Sequence, residues 1–204
     1  MQDLIYNSRV TDGKVCGSHG TAEHLVRSTS FPKTLFAFGI NHKTAPVEVR
    51  EKLHFREDEI QVLLAEFREY LSECVVLSTC NRTEVYGVSE SPVIDLEFFK
   101  RRMIEIKGAE GVVREEHFFS LISCAACQQL FNVATSIDSR VIGDSQILRQ
   151  LRAAYSISQQ DRFAGKILNQ LLQRAFKLGK TTYTETSIHD GAVSVMPSPV
   201  IIGI

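Results

Sequence analysis

The sequence predicts an α+β fold, in which a sandwich of strands and helices is followed by an α-helical subdomain. Hydrophobic periodicity and turn residues mark five segments of the sandwich: strand 34–40, helix 57–72, strands 74–78 and 84–88, and helix 95–106. This β-α-β-β-α order is typical of a ferredoxin-like fold, and the pattern also allows a closing strand near 111–119. From 122 to 186 apolar residues recur every three or four positions, which indicates helices.

Local signals justify these elements in order. TLFAFGI (34–40) is a β-type run that stops at the polar residues NHKTAP. Glu57 and Asp58 enrich the first turn of the following helix, as is usual at a helix N-terminus. The next two apolar runs, CVVLS (74–78) and EVYGV (84–88), are joined through the short polar segment TCNRT.

The composition divides the chain into three parts. Residues 1–32 are polar and broken by glycine and proline, so we predict a poorly ordered N-terminal extension. The main domain is predicted at 33–195, with the sandwich at 33–110 and the helical part at 111–195. Residues 196–204 form a separate tail, because Pro197 and Pro199 exclude a regular helix there.

Overall composition indicates a cytoplasmic globular protein. The 204 residues are 44% hydrophobic and 23% charged, with five cysteines and a net charge of −1. An odd cysteine count without a secretory signal argues for a reducing compartment, and no apolar run reaches membrane-helix length. Within 145–180, however, seven basic residues face a single acidic one, which favours either a phosphate-binding surface or a solvated helix face.

Cys80 is the first candidate functional residue, and the residue types leave two interpretations open. A free cysteine at a strand end is commonly a small buried hydrophobe. Its neighbours are polar, however, and a nearby arginine, Arg82, favours a thiolate and offers a planar fork for a carboxylate. Cys124 and Cys127 form a second candidate, with the CxxC spacing of a redox dithiol or of half a zinc site. No second ligand pair for a metal exists, so we predict no metal site and two buried thiols one helical turn apart.

Four colinear segments resemble the glutamyl-tRNA reductase family. They are GINHKTAPVEVREKLHF (39–55), VVLSTCNRTEVYGV (75–88), LFNVATSIDSRVIGDSQILRQLRAAY (130–155) and LNQLLQRAFKLGKTTYTETSIHDGAVSV (168–195). STCNRTE is highly specific to this family. The resemblance implies an enzyme of 5-aminolevulinate, tetrapyrrole and porphyrin biosynthesis. In that family a cysteine takes the glutamyl group of glutamyl-tRNA(Glu) as a thioester, and NADPH then releases glutamate-1-semialdehyde.

Carried onto this sequence, the resemblance makes Cys80 the nucleophile. It also places glutamate-binding roles on eight further residues: Thr79, Asn81, Arg82, Ser139, Asp144, Ser145, Gln146 and Gln150. The implied partners are glutamyl-tRNA(Glu) and, by family, glutamate-1-semialdehyde aminomutase. The family's dimerisation helices fall outside the matched segments, so the resemblance does not predict the oligomeric state of this chain.

Three departures from the family pattern qualify these expectations. Gln129 stands where the family has a histidine that assists catalysis, and an amide cannot transfer a proton near neutral pH. The family's GEPQ is GDSQ here, so Asp144 has a shorter reach and Ser145 replaces a rigid proline. The family's NADPH-binding and dimerisation domains have no counterpart in the sequence, and no GxGxxG motif occurs.

We therefore expect a protein that binds glutamyl-tRNA(Glu) and forms a Cys80 thioester, but does not complete the NADPH-dependent reduction alone. The alternative from another functional class is a truncated or degenerate paralogue that binds tRNA or a pathway enzyme without catalysis.

Overall fold

A four-stranded antiparallel sheet is the framework of the residues that the structure describes. The computed structural model describes residues 33–91, 93–140, 143 and 146–189. Its strands are β1 (Thr34–Asn41), β2 (Glu73–Ser78), β3 (Arg82–Ser89) and β4 (Phe119–Ile122), in the order β2-β3-β1-β4. Every neighbouring pair is antiparallel, and the register aligns Asn41 with Arg82 and Ser78 with Thr83. This confirms the α+β, ferredoxin-like prediction, in which each helix crossover is split by an intervening strand.

In the described part of the chain, six α-helices connect and cover the strands. They are α1 (Val47–Lys52), α2 (Glu57–Phe67), α3 (Leu96–Ile106), α4 (Cys124–Ala134), α5 (Gln146–Gln160) and α6 (Lys166–Glu185), with short 3₁₀ turns at Glu115–His117 and Ser187–His189. The closing strand lies at 119–122, later than the expected 111–119, so the sheet extends beyond the boundary that we predicted at residue 110. The predicted extension 1–32 and tail 196–204 lie outside the described residues.

Two hydrophobic cores lie on opposite faces of the sheet. Strand residues alternate between them: Phe36, Phe38 and Val76 pack with α2 and α3, whereas Val75 and Tyr86 pack with α4, α5 and α6. The helical part therefore covers the second face of the sheet as a third layer. Burial on both faces explains why β2 reads as a continuous apolar run.

Two local features fix the helical layer and the strands around the Cys80 turn. Glu73, buried in β2, accepts hydrogen bonds from the Ile167 and Leu168 N–H groups at 3.1 and 2.7 Å and so caps α6. A carboxylate at this position also opposes the positive end of the helix dipole. In β1, Gly39 permits close approach of β3, because a Cβ atom there would lie 2.2 Å from the Thr83 carbonyl oxygen.

Within the described residues, no helix combines the length and apolar character that a membrane crossing requires.

Candidate active site

Cys80 lies in the tight turn between β2 and β3, and it is exposed. The Thr79 N–H donates to the Arg82 carbonyl at 2.8 Å, which closes the turn. The Thr79 hydroxyl oxygen accepts from the N–H groups of Asn81 and Arg82, both at 3.2 Å. A threonine side chain thus satisfies the backbone donors of the turn, a common role of hydroxyl residues in turns. The arrangement holds the Cys80 thiol at the tip of a rigid hairpin, open to solvent.

The first strand residue after the turn, Arg82, is buried with two carboxylates. It is 2% exposed, and its Nη1 atom donates to Glu84 Oε1 at 2.8 Å and to Asp138 Oδ2 at 2.9 Å. Nη2 donates to the backbone carbonyl of Asp138. Glu84 is 0% exposed, so this is a desolvated ion triad whose members depend on one another.

Three more side chains complete what we call the Arg82 cluster. Lys43 forms an ion pair with Asp138 from the solvent side. The Tyr86 hydroxyl donates to Glu84 Oε2 at 2.6 Å. Gln129 Nε2 donates to Glu84 Oε1 at 3.2 Å and to Asp138 Oδ2 at 3.0 Å. The cluster thus holds two cationic and two anionic side chains, together with two neutral hydrogen-bond donors.

Burial and hydrogen bonding act in opposite directions on the two carboxyl groups. For Asp138, burial alone would raise the pKa, but hydrogen bonds from Lys43, Gln129 and Arg82 hold the pKa below its ordinary value. For Glu84, complete burial raises the pKa, and Arg82 and Tyr86 counteract that shift. The Arg82 guanidinium therefore favours the charged form of both carboxylates.

The structure brings some of the predicted site residues together. Arg82 and Gln129 meet in one cluster directly behind the Cys80 turn. Ser139 follows Asp138, and its Oγ atom is buried without a hydrogen-bond partner. Gln146 and Gln150 lie in the first two turns of α5. Two further predicted residues, Asp144 and Ser145, lie outside the described residues.

Sequence reasoning missed four members of the cluster: Lys43, Glu84, Tyr86 and Asp138. One signal was available for two of them. Arg82, Glu84 and Tyr86 alternate along β3, so a strand assignment places all three side chains on one face. The contribution of Asp138 depends on a loop from a distant part of the chain, and local periodicity does not report such a contact.

The described part of the chain contains no recognisable site for a metal ion or a dinucleotide cofactor. Among these residues, no group of three or more His, Cys, Asp or Glu side chains converges to hold a metal ion. The strand pairs there are all antiparallel, so the parallel βαβ unit that cradles a dinucleotide is absent from them as well.

The sequence of this chain matches one known protein family over most of its length. A profile described as "Glutamyl-tRNAGlu reductase, N-terminal domain" matches residues 38–186. The chain belongs to the glutamyl-tRNA reductase family. It is 40% identical over 163 residues to the glutamyl-tRNA reductase of Chlorobium phaeobacteroides (strain BS1), covering 79% of this chain and 38% of that protein. The enzyme of Chlorobaculum parvum is 39% identical over the same length and coverage.

A solved structure agrees with this family assignment. Glutamyl-tRNA reductase from Methanopyrus kandleri superposes with a TM-score of 0.62 at 31% sequence identity, covering 78% of this chain and 37% of that one. The chain therefore spans somewhat more than a third of the length of the glutamyl-tRNA reductases it matches. What the structure describes is the N-terminal region of the family, with the Cys80 hairpin and the Arg82 cluster at its centre.

Proposed function

We propose that this chain binds glutamyl-tRNA(Glu) and accepts the glutamyl group on Cys80. The product would be a thioester on the route to glutamate-1-semialdehyde, 5-aminolevulinate and tetrapyrroles. The observation that carries the proposal is the position of Cys80: it is exposed at a turn whose backbone is fixed on both sides, in a chain of the glutamyl-tRNA reductase family. An exposed, rigidly held thiol is accessible to the end of a macromolecular substrate.

The proposed step is an acyl transfer. The Cys80 sulfur attacks the carbonyl carbon of the ester that joins glutamate to the terminal ribose of the tRNA. A carbon–sulfur bond forms and the ester carbon–oxygen bond breaks. The ribose oxygen leaves with the electron pair and takes up the proton lost by the thiol. The products are the Cys80 thioester and tRNA with a free terminal hydroxyl.

We assign to Arg82 the role of fixing the turn that carries Cys80. Both of its Nη atoms are engaged by Glu84 and Asp138, and its side chain is buried. The glutamate-binding role that the family resemblance implies for Arg82 would require the substrate carboxylate to take the place of one of these partners. Thr79 has an analogous structural task, because its hydroxyl oxygen already accepts two N–H groups of the turn.

Gln129 changes the proton chemistry that this site can perform. Its Nε2 amide carries two hydrogens, and they match the two carboxylates that it contacts. The amide does not titrate near neutral pH, so Gln129 cannot serve as an acid or a base. Because a positioned acid–base group contributes about 10²–10⁴-fold to such reactions, we expect acyl transfer here to be slow and to depend on solvent for proton movement.

The helical layer supplies a surface suited to the phosphates of tRNA. The seven basic residues of 145–180 are all exposed: Arg149, Arg152, Arg162, Lys166, Arg174, Lys177 and Lys180. On α6, Arg174, Lys177 and Lys180 repeat every three residues and thus follow one side of the helix. Each phosphate contact releases counterions, so binding should weaken steeply with added salt.

The reductive step has no assigned site in this part of the family fold. NADPH would supply a hydride to the thioester carbonyl, but the described residues offer no dinucleotide cradle. We therefore propose that the 204-residue chain, tested alone, stops at the Cys80 thioester and loses it to water.

The decisive experiment is incubation of the purified chain with tRNA carrying radiolabelled glutamate. Denaturing gels should show label bound to the protein through a bond that hydroxylamine cleaves. Cys80→Ser should abolish the label, whereas Cys124→Ser, which removes another exposed thiol, should retain it. Label that survives in Cys80→Ser refutes the nucleophile assignment. Semialdehyde formation on addition of NADPH refutes the claim that the chain stops at the thioester.

The same samples separate catalysis from binding alone. If glutamyl-tRNA(Glu) protects Cys80 from alkylation and no acyl-protein appears, the chain is a binding protein of the family rather than an acyl acceptor.

The contribution of the basic surface is tested separately. Triple substitution of Arg174, Lys177 and Lys180 by Gln should weaken tRNA binding and reduce the magnitude of the salt slope by about 0.7–0.9 per lost contact. Arg101→Gln, an exposed residue of α3 on the opposite face of the sheet, is the control.

A further inference from the structure

The cysteine pair at the start of α4 differs from its prediction and has no part in the proposed acyl transfer. Cys124 is the first residue of α4 and is exposed, and Cys127, one turn later, is half-buried. The prediction of two buried thiols is therefore wrong. The reason is which face of the helix is buried. Ala126, Leu130 and Val133 pack inward, so the two cysteines lie beside the buried face and not within it.

We propose that Cys124 and Cys127 form a redox-active dithiol that exchanges with small disulfides such as oxidised glutathione. Helix geometry places Cα atoms three residues apart at about 5 Å, inside the range that a disulfide spans. The Cβ atoms start about 5–6 Å apart and must approach to about 4 Å. The first turn of a helix can make this adjustment because its N–H groups have few intrahelical partners.

The two thiols have unequal access, which defines the order of the reaction. Cys124 is the more exposed and attacks one sulfur of the small disulfide, whose S–S bond breaks and releases one thiol. The Cys127 sulfur then attacks Cys124 in the mixed disulfide and releases the second thiol. Two cysteine thiols are oxidised and one small disulfide is reduced to two thiols. Burial and the neighbouring Cys124 raise the pKa of Cys127, which suits the slower, second step.

Intramolecular closure should outcompete other outcomes because Cys127 is held one helical turn away. An adjacent thiol reacts at a high effective concentration, so the mixed disulfide on Cys124 should not accumulate. Of the other cysteines in the described residues, Cys74 is completely buried in β2 and burial raises its pKa, so it should not compete. Cys80 is exposed and has to be removed in the test.

The test uses the full chain carrying Cys16→Ser and Cys80→Ser, with circular dichroism to verify folding. The protein is equilibrated at a series of reduced-to-oxidised glutathione ratios, quenched with acid, alkylated and mapped by mass spectrometry. We expect Cys124 and Cys127 to lose reactivity together, without a glutathione adduct, and dithiothreitol to restore both. Adding Cys127→Ser should trap the glutathione adduct on Cys124, and adding Cys124→Ser should leave Cys127 reacting more slowly.

The proposal is overturned if the adduct accumulates on Cys124 while Cys127 stays free at every ratio. It is equally overturned if both thiols carry glutathione independently. Because the assay contains no tRNA and no Cys80, its result is independent of the proposed acyl transfer.

Discussion

Replacement of Arg82 by methionine should be the most destabilising single change at the candidate site. The Arg82 cluster has two cations, Arg82 and Lys43, against two carboxylates, Glu84 and Asp138. Methionine fills similar space but leaves Glu84, fully buried, without its cation. Breaking a buried ion pair by removing one partner costs about 3–5 kcal/mol, because the remaining charge stays desolvated. We therefore expect the free energy of unfolding to fall by that amount at pH 7.

The loss of unfolding free energy in Arg82→Met should increase as the pH rises. Without Arg82, the pKa of Glu84 in the folded protein should rise further above that of the unfolded chain. A carboxyl group with a raised folded pKa stabilises the fold below its unfolded pKa, about 4.3, and loses that contribution as pH rises through the folded value. The deficit of Arg82→Met should thus be smaller at pH 5 than at pH 8. Adding Glu84→Gln should recover part of the loss, because one cation then faces one anion.

Urea unfolding followed by circular dichroism measures these differences. With a slope of about 2 kcal/mol per molar urea, the midpoint of Arg82→Met should fall by about 1.5–2.5 M. Arg56→Met, which removes the ion pairs of an exposed arginine with Asp58 and Glu59, is the control and should change the midpoint by less than about 0.5 M. A midpoint shift below about 0.5 M for Arg82→Met would contradict the ion-triad argument. If that variant does not fold, Glu84→Gln alone tests the same coupling.

Three further predictions concern stability and are measured in the same way. Gly39→Ala should cost about 3 kcal/mol, because its Cβ would lie 2.2 Å from the Thr83 carbonyl oxygen; a loss under 1 kcal/mol would show that the strands adapt freely. Glu73→Gln should cost about 2 kcal/mol, since its amide NH₂ must face one of the two α6 N–H groups, and an unchanged midpoint would refute the capping role. The pKa of Asp138 is lower in the folded protein than in the unfolded chain. Asp138 therefore stabilises the fold at pH values above its unfolded pKa, and this contribution is lost as the pH falls through its folded pKa. Asp138→Asn should therefore flatten the acid limb of the stability curve, and an unchanged limb would exclude this contribution.

The sequence predicted the architecture well because the relevant signals are local. Alternation and turn residues located β1, β2 and β3, and helical spacing located the helical layer. Prediction failed where a long-range contact decides. The closing strand β4 has only four residues of alternating burial, too short to stand out from its surroundings. Likewise, local pattern does not reveal that Arg82 pairs with Asp138, which lies 56 positions later in the chain.

Substitution of Gln129 by histidine tests the first of the three departures from the family pattern. An imidazole at position 129 has a donor for one carboxylate of the Arg82 cluster and, unlike the amide, titrates near neutral pH. We expect thioester formation from labelled glutamyl-tRNA(Glu) to rise by about 10²-fold, with a new inflection between about pH 6 and 7.

Gln129→Ala is the control for that substitution, because it removes both hydrogen bonds without adding a proton carrier and should not gain activity. A rate for Gln129→His that equals the parent at every pH would mean that this position does not reach the reacting atoms. The amide would then belong only to the cluster that holds the Cys80 turn, and proton transfer would have to come from another group or from water.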